Sequence, residues 1–183
     1  MISHKVKRLP IANIKSISLL AMLAALSVAG RVAFAAIPNV QPMTDIVIIT
    51  ALVMGTRFGV LNAVLTILVS NIVLGMGLWT FPQIFALTMV ALITGLCIRP
   101  LFKRIPLWLM SLYAGFTGLL YGFFISVVQA PVFGFDYLLE YYVAGLPFDL
   151  MHAAGNVAFY YVLAPILVPL LEKLLSKYLE GAV

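Results

Sequence analysis

Residues 43–75, MTDIVIITALVMGTRFGVLNAVLTILVSNIVLG, decide the fold. The run is mostly apolar and is divided by a Gly55-Thr56-Arg57-Phe58-Gly59 break. A bilayer's hydrocarbon core is roughly 30 Å thick and a helix rises about 1.5 Å per residue, so one span takes about 20 residues. The block is therefore long for one span and short for two. Around it lie apolar runs near 12–36, 82–98, 107–128 and 147–171, with a Pro/Gly/aromatic segment at 130–147. Two short helices in the block give six spans in all, and one helix gives five. Charge separates the two, because cytoplasmic loops collect Lys and Arg. With six spans, four cations of the N-terminal tail (Lys5, Lys7, Arg8, Lys15), Arg57, the three of 99–104, Lys173 and Lys177 all fall inside, ten of the eleven basic residues. With five, the Arg99–Arg104 cluster and the basic C-terminal tail fall outside. The expected fold is thus an all-α membrane protein of six transmembrane helices with both termini cytoplasmic. It forms a single integral-membrane domain over 1–183, with cytoplasmic tails at 1–11 and 173–183.

Composition agrees with that class. The 183 residues are 64% hydrophobic and 9% charged, with a mean hydropathy of +1.15. Soluble domains carry about 45–50% apolar and about 25% charged residues. The expected location is the cell membrane, and no length remains for a soluble domain. No GxxxxGK(S/T) loop is present to hold a nucleotide phosphate. The net charge of +5 does not signal nucleic acid, because the cations sit at span ends rather than in one patch. The N-terminal segment is not a cleavable signal, since its apolar run exceeds a signal's core of about 7–15 residues and ends in the turn Ile37-Pro38-Asn39. Cys97 stands alone, which excludes a disulfide framework or a cysteine metal site.

Ionisable groups at membrane depth are costly and point to function. Arg31, Asp45 and Asp149 all lie within about two helical turns of the expected outer surface, leaving the inner half bare. An ion-coupled carrier needs protonatable groups near the midplane and usually shows repeated halves; neither is visible, so energy for any transport must come from another subunit. Arg31 is the one cation outside the inside pattern and could simply snorkel outward. In the last span Asp149, His152, Asn156 and Tyr160 recur along one helix face. They either satisfy neighbouring helices or line a ligand pocket open to the outside. Asn71 and the turn Gly75–Gln83, with Trp79 and Gln83, form a second outer cluster, although Trp is also common as an interfacial belt residue. Tyr137 and Tyr141, with Tyr142, Asp136 and Glu140, enrich the last outer loop as pocket residues or interfacial anchors. Ala21, Ala25 and Ala29 repeat every four residues on the first span, a smooth strip suited to close helix contact with a partner or with this chain's own helices.

Enzymatic signatures are missing. No HExxH, GxSxG or CxxC occurs, and Asp149 with His152 supplies two metal ligands where a catalytic zinc site has three. Ser70 and Ser126 have no evident base.

Six short hydrophobic spans, the Ala21–Ala25–Ala29 spacing and a short third span resemble the substrate-capturing S component of energy-coupling factor (ECF) transporters, over nearly the whole chain. The segments Gly30-Arg31-Val32-Ala33-Phe34-Ala35-Ala36-Ile37-Pro38-Asn39-Val40-Gln41-Pro42 and Gly77-Leu78-Trp79-Thr80-Phe81-Pro82-Gln83 are similar to a subgroup associated with corrinoid uptake. The resemblance implies a non-enzymatic subunit that captures a vitamin outside and docks through the alanine strip onto a membrane coupling subunit. Two partner ATPases then drive it. It implies cobalamin as ligand and no resident cofactor or metal. Riboflavin, pantothenate or folate are the alternatives, and beyond the family a small stand-alone carrier or a lipid-modifying enzyme. Cobalamin is fringed with neutral amides, which Asn39, Gln41, Asn71, Gln83 and Asn156 suit by hydrogen-bond type. An anionic vitamin would need Arg31. The implied substrate set is completed by Trp79, Tyr137, Tyr141, Asp149 and His152, with His152 either a cobalt ligand or a hydrogen-bond partner of Asp149.

Overall fold

A computed structural model of the chain describes residues 13–180, and all the regular structure within them is helical. Lys5, Lys7 and Arg8 of the expected N-terminal tail, and the last three residues of the C-terminal one, lie outside the described residues. Helix α1 (Ile14–Ala33) opens on Asn13, whose side-chain oxygen accepts from the Lys15 amide at 2.9 Å and satisfies a donor that a helix start leaves free. The decisive block becomes α2 (Met43–Val53) and α3 (Thr56–Leu74). Next come α4 (Thr80–Ile93), which runs on through a π-helical turn Thr94–Ile98, then α5 (Leu107–Phe133) and α6 (Leu138–Glu180).

The break in the block is where the sequence puts it, but the two halves are unequal. Gly55 stops α2 at φ +110°, a left-handed conformation that glycine adopts without a Cβ penalty, and α3 starts on the next residue. Arg99 donates from Nε to the Leu52 carbonyl at 2.9 Å, taking one of the acceptors that the end of α2 leaves open. With 11 residues, α2 is about 16 Å long and too short to cross a bilayer alone. Five segments are long and apolar enough to cross, where six spans are expected from sequence: Ile14–Ala33, Thr56–Leu74, Thr80–Ile98, Leu107–Val132 and Phe135–Lys177.

A helix that is apolar all round belongs inside a bundle, and α2 is buried from Met43 to Leu52. Ile46, Ile48, Ile49 and Leu52 pack with Leu19 and Leu23 of α1, Met110 of α5 and Tyr160 of α6. On its other side Met43 and Val47 pack with Ile67 of α3, Leu87 of α4 and Tyr121 of α5. The longer helices thus surround α2. Side-chain contacts define two ends of the bundle: Arg31 near the end of α1 meets Ser70 and Asn71 near the end of α3, whereas Arg99 after α4 meets the end of α2. Outward faces stay apolar, with Ile72, Leu78, Phe81 and Trp108 among the large exposed side chains. A continuous surface of that kind is out of place in water, and with five long apolar helices it marks a membrane-embedded protein.

The last helix differs most from expectation. Segment 130–147 reads as a loop, yet only a short turn around Gly134–Tyr137 interrupts the helices, Pro131 lies inside α5 and Pro147 inside α6. Each internal proline forfeits one N–H bond. In an apolar medium an open loop would leave several backbone groups without partners, so helix continued through proline is the cheaper solution.

Candidate functional site

At the Arg31 end a cavity of about 370 Å3 opens between α1, α4, α5 and α6, within the range of small-molecule sites. Of the residues expected from sequence, it gathers Arg31, Asn39, Gln41, Gln83, Tyr141, Asp149 and His152 on its walls. Asn71 stands behind them as a junction. Its Oδ1 accepts from Arg31 Nη1 at 2.8 Å, while its Nδ2 donates to Thr80 Oγ1 and Gln83 Oε1, both at 2.9 Å. Arg31 Nη1 also donates to Ser70 Oγ. Arg31 therefore does not snorkel. It turns inward, only 8% exposed, because Ser70 and Asn71 on α3, backed by Thr80 and Gln83 on α4, offer it a polar network.

The polar stripe of α6 is buried at all four positions but does not act as one group. Asp149 borders the cavity at 6% exposure. His152 does not pair with Asp149; its Nε2 is 2.9 Å from Thr44 Oγ1, and the Tyr121 ring stands edge-on to it at 5.1 Å. The imidazole points across to α2 and α5, so the residue three positions earlier is out of its reach. Asn156 donates to the Ala114 carbonyl at 3.1 Å and serves the α5–α6 contact. Tyr160 is deeper still, beside a second cavity of about 330 Å3 that is otherwise mostly apolar. Asp45 is fully enclosed in α2 and faces no wall of the Arg31-end cavity.

Trp79 and Tyr137 are exposed and lie off the cavity wall, Trp79 with its ring against Gly77. The loop 34–42 does reach the site. Asn39, in the left-handed region at φ 58°, donates from Nδ2 to the Phe148 carbonyl at 3.3 Å and ties that loop to α6. The hydroxyl of Tyr141 accepts from Gln129 Nε2 at 3.1 Å, joining α6 to α5.

The wall from α5 has no counterpart among the expected residues. Tyr121, Gly122, Ile125 and Ser126 line the cavity, and a Cβ at Gly122 would fall on the Asp149 carboxylate. Small residues at Gly118, Gly122 and Ser126, four apart on one face, are the signal that could have located this wall.

A larger cleft of about 690 Å3 lies at the opposite end, bordered by Arg99, Lys103, Arg104 and Glu172. Lys103 is exposed and sits 3.8 Å from Glu172, and partial burial holds the Arg99 guanidinium below the ordinary arginine value. This cleft is a basic groove at the end of the bundle, with fewer kinds of hydrogen-bonding groups than the Arg31-end cavity. Among the described residues no group of three or more His, Cys, Asp or Glu side chains is placed to hold a metal. Compared with known proteins, the chain matches no family model, no curated protein and no solved structure.

Proposed function

We propose that this chain is the substrate-capturing membrane subunit of an ATP-driven, ECF-type vitamin importer, with ATP hydrolysis in separate partner subunits. The observation that carries the reading is the cavity at the Arg31 end of an apolar bundle, whose walls bear Arg31, Asn39, Gln41, Gln83 and Asp149, the few placed polar groups expected of a solute site. The exposed alanine strip supports the partner half. Ala21, Ala25 and Ala29 face away from the chain's own helices, so the strip is open to a coupling subunit.

Cobalamin is the ligand that the sequence resemblance suggests. A corrinoid is several times larger than a cavity of about 370 Å3, and it would need loops 34–42 and 75–79 to swing aside. That volume favours the second reading, a smaller vitamin of the riboflavin, pantothenate or folate class.

The docking half is tested by Ala25→Trp, which forces a bulky ring into the strip. Uptake by cells and co-purification of the coupling subunit should both fall at least tenfold, which corresponds to roughly 1.4 kcal/mol or more of docking free energy. Binding by the isolated chain should be unchanged. Loss of binding as well would assign the strip to the chain's own packing.

We further propose six passes, with α2 as a short buried one and both termini cytoplasmic. The supporting pattern is that ten of eleven basic residues then lie inside. A cysteine placed in 99–106 of a Cys97→Ala background should escape an impermeant thiol reagent in intact cells, and one at 133–140 should be labelled. Labelling of the first site from outside contradicts this orientation.

A further inference from the structure

The cavity holds two buried charges of opposite sign that the protein does not neutralise. Both side-chain hydrogen bonds of Arg31 run from Nη1 to neutral acceptors, the Ser70 hydroxyl and the Asn71 amide oxygen, which leaves Nε and Nη2 uncommitted. Asp149 has no hydrogen-bond or ion-pair partner among the described residues, and its carboxylate occupies the space left by the missing side chain of Gly122. Among the described residues the one ion pair is Lys103 with Glu172, so Arg31 and Asp149 do not meet, although both border the same cavity. Tyr121 lines the same cavity.

A charge left without a partner in a narrow cavity is costly, and more so at membrane depth. One such charge facing a cavity calls for a ligand of the opposite sign. Two of opposite sign exclude the simple cases: a plain anion drawn to Arg31 would be repelled by Asp149, and a plain cation would be repelled by Arg31. One molecule satisfies both.

We infer that the ligand is a small zwitterion, its carboxylate turned to the free edge of Arg31 and a protonated amine turned to Asp149, with an apolar body against Tyr121, Ile125 and Phe148. This rests on reading the cavity as the capture site. Guanidinium suits a carboxylate because two parallel N–H donors match its two oxygens, and the Asn71 junction fixes the plane of the fork.

The test uses the purified full chain in detergent. The probes are β-alanine, γ-aminobutyrate, ε-aminocaproate and para-aminomethylbenzoate, each beside its N-acetyl and methyl-ester derivatives. Binding is followed by equilibrium dialysis. At least one zwitterion should bind about ten- to hundredfold more tightly than either of its derivatives, as expected when a single charged hydrogen bond is removed. Asp149→Asn should abolish the preference over the acetylated probe alone, and Arg31→Gln the preference over the ester alone. Arg31→Lys, which keeps the charge, should retain the ranking if the glutamine variant does not fold. Equal binding of zwitterions and derivatives, uniform weakening of all probes by both variants, or no saturable binding in the series overturns the inference. The importer reading fails separately: it falls if charge-selective binding holds yet no ATP-dependent uptake accompanies it, and it survives if a vitamin binds and is imported without regard to these charges.

Discussion

Gly118→Leu should prevent α5 and α6 from pairing and leave no monodisperse protein in detergent. A Cβ at Gly118 would stand 2.8 Å from the Ala153 nitrogen and 3.0 Å from both its Cα and the His152 carbonyl carbon. Those are backbone atoms, so no side-chain rotation makes room and the helices themselves must move apart. Overpacking a tight interface costs about 1–3 kcal/mol and sometimes more, and each separated atom pair also forfeits its dispersion attraction. The same displacement would carry Asp149 and His152 away from the cavity. Gly118→Ala is the graded version, expected to lower the unfolding free energy by about 1–3 kcal/mol. Phe116→Leu, on an exposed face of α5, should change nothing measurable. Size-exclusion chromatography in detergent reads Gly118→Leu and a denaturing detergent titration reads the other two, and a monodisperse Gly118→Leu with a wild-type unfolding midpoint would contradict the close α5–α6 packing.

Asn71→Leu should be nearly as damaging, through polarity rather than volume. It removes an acceptor from Arg31 and the donor that serves Thr80 and Gln83. Losing one hydrogen bond to a buried charge costs about 1.5–3 kcal/mol, to which two neutral bonds add about 0.5–1.5 kcal/mol each. Asn71→Asp separates folding from binding. It supplies Arg31 with an anion, and the lost donor is made good because the Thr80 hydroxyl can donate to the new carboxylate and the Gln83 amide can turn its NH2 toward it, so the fold should survive while the guanidinium no longer needs a carboxylate from the ligand. The expected result is near-normal unfolding with ligand affinity reduced at least tenfold. Unchanged affinity in Asn71→Asp would show that Arg31 does not face the ligand.

Hydropathy and turn chemistry made much of this fold legible. Gly55 ends α2 where the block breaks, and the basic cluster at Arg99–Arg104 falls between α4 and α5. Helix length was harder, because a residue buried against protein and one facing lipid are equally apolar. For that reason α2 could not be recognised as an enclosed 11-residue helix, nor could the start of α6 at Leu138 be read through Pro147. Within the site, polar residues on α1, α3, α4 and α6 stood out against an apolar background, and seven of those expected line the cavity. The direction of a side chain is set by its neighbours in space, so the inward turn of Arg31 onto Asn71 and of His152 onto Thr44 was invisible. Tyr121 and Gly122 carry no charge and look like ordinary membrane-helix residues.

Capture of a small solute by this chain alone is the claim on which the rest depends. Its most direct measurement presents radiolabelled ε-aminocaproate and para-aminomethylbenzoate, beside cobalamin, riboflavin, pantothenate and folate, to the purified chain and to its Asn71→Asp variant, both followed by equilibrium dialysis. One of these compounds should bind the wild-type chain to one equivalent and bind the variant at least tenfold more weakly. Binding of none of the six, or equal binding by both proteins, would contradict a capture site at the Arg31–Asp149 cavity.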